Sequence, residues 1–306
     1  MNWKTKAAIQ RLVASLPRAE RLNYLAQRHF SVGRELPESF VRSRVELGAR
    51  HWHALKEQGG GLGAGTVLEI GTGWYPIVPA VLFLKGAEEV LTSDVRRHLN
   101  TASIQQAVRA LSSLLEGDSP ADLVCVDHHR VERLRRAADA RSADEMLASF
   151  GTRGIVSRSD GFDLARQSIA GVVSNNTFQF VPAAHLETLV AELRRVVVPG
   201  GILSIAVDLG DEFALTDPTI GRLNFLRFSE RQWRAVTSKL HAPNRLRFSD
   251  YRAAFEPHFQ VIEARREVRL DPTQLELQPL HPSFAHYSQE DLLTEHGYFV
   301  LRRAEP

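Results

Sequence analysis

Val67-Leu68-Glu69-Ile70-Gly71-Thr72-Gly73 is the stretch whose reading decides the fold. Apolar residues lead into a carboxylate, and the run then breaks into a glycine turn. Such a segment suits the point where a sheet hands over to a helix and a nucleotide-type cofactor docks. Glycine lets the backbone turn tightly and approach the ligand closely. A dinucleotide fingerprint would place a third glycine three residues on. Here the run continues Gly71-Thr72-Gly73-Trp74-Tyr75-Pro76, so proline stands there. Glu69 carries more information than the glycines. A carboxylate gains nothing beside a pyrophosphate, but it gains from a cofactor that carries an ammonium and a sulfonium.

Outward from this stretch the chain alternates strand and helix. Short apolar strands are expected at Val67–Ile70, Glu89–Ser93, Gly154–Ser157, Ala170–Ser174 and Ile202–Val207. Phe259–Val268 and Tyr298–Arg302 would close the sheet. Helices are expected at Pro76–Leu84, which opens with proline near its start, at Arg97–Leu115 and at His185–Val198. Asp122–Phe150 reads as one charged, Ala/Arg-rich helical segment, and Ser229–Leu240 and Ser249–Phe255 as further helices. This alternation argues for a doubly wound, mostly parallel α/β sheet. Residues 1–58 look helical instead. Ile9, Leu12, Val13 and Leu16 repeat at helical spacing until Pro17, a second segment is expected over Ala19–Phe30, and a third over Pro37–Gln58. Gly59–Gly65 lacks the Lys-Ser/Thr ending of a phosphate loop and precedes the strand, so it reads as a linker.

Composition bounds the function. The 306 residues are 43% hydrophobic and 24% charged, enough for a sizeable core, and the net charge of +2 gives no global field for nucleic acid. The single cysteine, Cys125, excludes an internal disulfide and fits a reducing compartment. No apolar run approaches the ~20 residues that span a bilayer. The charges in Met1–Lys6 are not followed by the apolar stretch of a signal peptide. A cytoplasmic protein without membrane partners is expected.

Four further elements accompany the glycine turn. Asp94 closes the second strand, where a carboxylate can accept hydrogen bonds from both ribose hydroxyls. Ser159-Asp160-Gly161-Phe162 follows the third strand and offers a polar group for an adenine amine and a ring for stacking. Ser174-Asn175-Asn176-Thr177 ends the fourth strand in short polar side chains, at the sheet edge where open α/β sheets bind ligands. A helix closed by Pro199-Gly200-Gly201 precedes the fifth strand.

In this order the elements resemble the class I S-adenosylmethionine-dependent methyltransferases. Val67–Gly73 looks like their first motif, Asp94 like their ribose-binding acid, and Ser159-Asp160 like their adenine-side acid, with Asp163 as the competing alignment. Val173-Ser174-Asn175 is similar to the fourth-strand motif and Val198–Gly201 to the hairpin before the fifth strand. Tyr75 departs from the family where a third glycine is frequent. The resemblance is good over roughly residues 66–208 and topological beyond them. It implies a Rossmann-like sheet of seven strands, with an N-terminal helical cap over 1–65 and a methyltransferase-like domain over 66–306 that carries a helical insert near 97–150. It implies S-adenosyl-L-methionine as cofactor, held by Glu69, Gly71, Thr72, Gly73, Trp74, Asp94, Ser159, Asp160, Phe162, Ser174 and Asn175.

Methyl transfer from a sulfonium is an in-line displacement, in which the enzyme aligns the nucleophile and excludes water. An aromatic face near the sulfur stabilises it by ~0.5–2 kcal/mol. Trp74 and Tyr75 stand in the turn for this role or for packing on the next helix. Tyr24 can line the pocket from the cap or sit in its core. Tyr24, Tyr75 and Asn175 are the candidates for catalysis, and Asn175 can equally cap the backbone. Among 12 histidines none forms a decisive constellation. His51-Trp52-His53 has a spacing that does not bring both rings to one helical face, so no metal site is expected. The segment Asp208–Asn244 and its edge supply polar and aromatic groups (Asp208, Asp211, Glu212, Phe213, Asp217, Asn224, Phe225, Trp233, Asn244, Arg245) for an enclosed small-molecule pocket. The expected reaction is methyl transfer to a small molecule in biosynthesis. The alternative is an intramolecular reaction of the same cofactor that releases methylthioadenosine, as in azetidine-2-carboxylate synthases. Acceptor identity, general base and oligomeric state carry no signal in the sequence.

Overall fold

The expected strands pair into one seven-stranded sheet. The computed structural model describes residues 2–16, 35–59, 65–117, 120–123, 126–158, 160–238, 243–267, 270–277 and 279–305. The segment Ala19–Phe30 with Tyr24, Cys125, Ser159 and most of the glycine linker lie outside them. The strands are β1 (Val67–Ile70), β2 (Val90–Asp94), β3 (Thr152–Val156), β4 (Ile169–Asn175), β5 (Val197–Asp208), β6 (Gln260–Arg266) and β7 (His296–Arg302). Their order across the sheet is β3-β2-β1-β4-β5-β7-β6. The first five strands are parallel, and β7 alone runs against its neighbours. Strand order reverses between β1 and β4, so the crevice at their carboxyl ends is the topological switch point of the sheet.

Helices cover both faces. They are α1 (Trp3–Ser15), α2 (Glu38–Gln58), α3 (Ile77–Lys85), α4 (Thr101–Glu116), α5 (His128–Arg136), α6 (Ala143–Ser149), α7 (Ala183–Val196), α8 (Glu230–Val236), α9 (Phe248–Phe255), α10 (Thr273–Leu277) and α11 (Gln289–Leu293). Strand side chains alternate between the faces. Leu68, Val172, Leu203 and Phe299 pack against Leu189 and Leu193 of α7 and Phe255 of α9. Val67, Val173, Ile202 and Tyr298 point the other way, toward Trp52 and Leu55 of α2 and Leu82 of α3. Beyond that layer α4, α5 and α6 complete a second cluster around Phe83 and Phe150.

The helical segment expected over Asp122–Phe150 is not continuous among the described residues. It is broken into α5, α6 and two 3-10 turns. The breaks follow capping chemistry. Asp127 accepts the backbone N–H of His129 at 2.8 Å, and Ser142 accepts that of Glu145 at 3.2 Å. The N-terminal helices also part company. α2 lies along α3 and β5, whereas α1 docks Trp3 and Ala7 into a separate cluster with Phe213, Leu226 and Trp233.

Candidate functional site

β1 is buried throughout, and Glu69 is only 3% exposed. Its carboxyl accepts the hydroxyls of Thr72 at 2.5 Å and Thr92 at 3.2 Å. Burial pushes it up to about 7, against the opposing pull of those two hydroxyls and of Arg44 on α2; nearby Asp94 adds to the rise. Burial also lowers Arg44, and Glu69 offsets part of that effect. The turn that follows needs its glycines. Gly71 has φ of 81°, and a Cβ there would lie 1.9 Å from Thr177 Oγ1. Gly73 has φ of 70°, but a Cβ on it would meet nothing within 4 Å, so the backbone there faces open space.

That space continues over the next two strands. Thr72, Gly73, Asp94, His98, Leu147 and Val156 are among the residues that line a cleft open to solvent. Asp94 accepts the N–H of Gly73 at 3.3 Å and lies 3.6 Å from His98 Nε2. Its carboxylate therefore joins the glycine turn to the cavity wall. Val95 and Val156 are 52% and 60% exposed, an unusual state for valine, and Val156 pairs with Asp94 in the strand register. Val156 borders the cleft. The aromatic pair of the turn separates: Trp74 lies 5.2 Å from the His98 ring, and Tyr75 meets Phe40 edge-on at 6.0 Å.

The expected adenine-side residues divide. The Asp160 carboxylate forms two bonds to Arg158, at 2.9 and 3.0 Å, across a tight turn that follows β3. Phe162 does not line the cavity. Its ring is buried in the core beside α7, and its N–H donates to Glu192. Apolar rings placed one turn past a strand end are drawn into the sheet–helix interface when α7 passes there. Ser174 is also directed inward, with Oγ donating to the Ile70 carbonyl at 3.0 Å, so it ties β4 to β1.

Asn175 stands beside the glycine turn at the end of β4. It is 9% exposed, and its Oδ1 accepts from His51 Nε2 at 2.8 Å. His51 is fully buried on α2, and its Nδ1 meets Ser204 Oγ at 2.8 Å, which in turn meets Tyr298 OH at 2.7 Å. Burial lowers the imidazole to about 4, so the ring is neutral near pH 7. In the sequence, the spacing of His51 and His53 bears only on a metal site and argues against one. Among the described residues no cluster suited to a metal occurs. The usable signal was its place on the α2 stripe, three residues after Gly48 and four before Leu55.

Beyond β5 much of the polar character expected of an acceptor pocket serves internal bonds. Asp211 accepts from Phe213 N and Asn224 Nδ2. Asp217 accepts the N–H of Trp3, and Asn244 donates to the carbonyls of Phe178 and Val181. Phe213, Phe225 and Trp233 are core, and Arg245 donates to the carbonyls of Phe225 and Phe228. Nearer the strand ends, Gln179 Nε2 donates to Glu212 at 3.4 Å, and burial raises Glu212 above the usual carboxylate range.

Seven strands in this order, one of them reversed, carry a glycine turn at the switch point and the Asp94 carboxylate beside it at the end of β2. The fold is that of the class I methyltransferases. No family model matches the chain, and no curated protein matches it in sequence. Among solved structures, a chain of the complex between the Haloferax volcanii Trm112 methyltransferase activator and a methyltransferase is 15% identical, covers 89% of this chain and 99% of its own, and superposes with a TM-score of 0.43. MccD protein is 10% identical over 84% of this chain and 96% of its own, with a TM-score of 0.46. A SAM-dependent methyltransferase from Methanosarcina mazei is 14% identical over 80% and 95%, with a TM-score of 0.43. In this methyltransferase fold the described residues include no helix long and apolar enough to cross a membrane.

Proposed function

We propose that this chain binds S-adenosyl-L-methionine and transfers its methyl group to a small-molecule acceptor. The observation that carries the reading is Glu69, a buried carboxyl at the switch point whose glycine turn opens directly onto the Asp94 cavity. An ammonium fits the first group and ribose hydroxyls fit the second. Gly71, Thr72 and Gly73 shape the approach, Val156 borders the adenine side, and Trp74 stands near the cofactor's path. α2 then acts as the cap over this edge. The internally bonded segment after β5 and a net charge of +2 favour a small acceptor over a nucleic acid. The acceptor would approach over the ends of β4 and β5, near Gln179 and Glu212.

The chemistry asked of the residues is alignment and exclusion of water, because the leaving group is already activated. Titration calorimetry with S-adenosylhomocysteine tests the reading. Binding is expected, and Asp94→Ala is expected to weaken it by ~1.5–3 kcal/mol through lost charge-assisted bonds. Equal affinity in the variant would remove Asp94 from the site. Incubation with S-adenosylmethionine alone tests the reaction class. An inert cofactor supports transfer, and methylthioadenosine released without acceptor would replace transfer by the intramolecular reaction.

A further inference from the structure

Asn175 holds one amide terminus against His51, and its other terminus, Nδ2, is buried with no hydrogen-bond partner. Buried polar atoms of native proteins are nearly always paired, and an orphan is costly unless a ligand completes it. The amide is also held at a defined polarity. Arg50 and Arg265 lie over the Tyr298 ring, at 3.3 and 5.3 Å from its centroid, and a guanidinium accepts no hydrogen bond. The acceptor nearest the Tyr298 hydroxyl is Ser204 Oγ, at 2.7 Å. Ser204 then donates to His51 Nδ1, and the neutral ring donates from Nε2 to Asn175 Oδ1. In this order the NH2 of Asn175, not its carbonyl, is the terminus left unpaired.

The place of this donor selects its ligand. Ser174 pairs with Ile70 in the β1–β4 register, so Asn175 stands alongside Gly71, at the Glu69 end of the site and away from the Asp94 cavity. We propose that Asn175 Nδ2 donates to the carboxylate of the cofactor's amino-acid tail, and that His51, Ser204 and Tyr298 are positioning residues that aim it. The shared chemistry is an oxygen acceptor, which a second substrate could also supply. The cofactor carboxylate is favoured because it shares a carbon with the ammonium assigned to Glu69. The inference rests on the cofactor reading above.

Calorimetry with two probes separates the possibilities. S-adenosylhomocysteine carries the amino-acid tail, and 5′-methylthioadenosine lacks it. Asn175→Asp keeps the acceptor for His51 and replaces the donor by a carboxylate oxygen. It is expected to weaken S-adenosylhomocysteine about tenfold or more while leaving methylthioadenosine within about twofold. Tyr298→Phe touches no ligand, and it is expected to lower the same ratio of affinities about threefold, a change that loss of stability alone would not produce. If Asn175→Asp does not fold, Tyr298→Phe decides alone. An unchanged ratio in the folded variants overturns the inference and leaves the cofactor reading standing. Wild-type protein that binds neither probe overturns both.

Discussion

Glu69 and His51 titrate in opposite senses across the same pH range. Burial raises Glu69 from its ordinary 4.5 to about 7. The folded protein keeps that proton between about 4.5 and 7 while the unfolded chain releases it. The stability this group contributes is full below about 4.5 and is lost as pH rises through about 7. His51 is lowered from 6.5 to about 4, chiefly by burial. Its contribution is full above about 6.5 and is lost as pH falls toward 4. The two slopes partly cancel. Glu69→Gln is expected to leave His51 unopposed, so urea midpoints should drop more steeply from pH 6.5 to 4 than in the wild type. Pairing with an ammonium requires ionised Glu69. Affinity for S-adenosylhomocysteine should therefore rise from pH 6 to 8 and release protons at pH 7, with both effects absent in Glu69→Gln. Calorimetry in buffers of different ionisation heat reads the protons directly. Gly71 is a simpler case. A methyl added there combines a positive φ with a clash against Thr177. Gly71→Ala is expected to destabilise by at least about 1–2 kcal/mol in chemical denaturation.

Elements far from the turn are held by residues whose roles sequence patterns do not announce. Arg247, just before α9, is fully buried. It donates to the carbonyls of Leu209, Asp291, Leu292 and Thr294, joining the end of β5 to α11. Burial lowers it only to about 10, so it stays charged. Arg247→Met would strand four buried carbonyls, and a loss of about 3 kcal/mol or more is expected in thermal and urea melts. The docking of α1 depends on Trp3, whose ring lies 5.7 Å from both Phe213 and Phe228. Trp3→Ala should cost about 3–5 kcal/mol. Differential scanning calorimetry would show it as a lower Tm. Helix bounds were legible where stripe and cap agree, as in α2, which begins one residue after Pro37 and ends at Gln58 as expected. The insert was not, because Ala and Arg favour helix along its whole length while Asp127 and Ser142 set the breaks.

Over the whole molecule, a row of polar side chains runs across the sheet beneath α2: Glu69, Asn175, Ser204 and Tyr298. All project to one face because strand side chains alternate, and the apolar neighbours Val67, Val173, Ile202 and Val300 share that face. Fold class, strand sequence, the glycine turn and the acid after β2 were readable from local patterns alone. A period of two, a period of 3.6 and a glycine that must turn are properties of neighbouring residues. The partnership of Asn175, His51, Ser204 and Tyr298 was not readable, since its members are separated by 124, 153 and 94 residues. Nor was the burial of the Phe162 ring beside α7, or the exposure of Val95 and Val156 at the sheet's rim. Local sequence determined which segments become strands and where the chain must bend. Only tertiary structure decided which side chains meet and which groups lose water, because desolvation and pairing depend on the elements that pack against a residue and not on its neighbours along the chain.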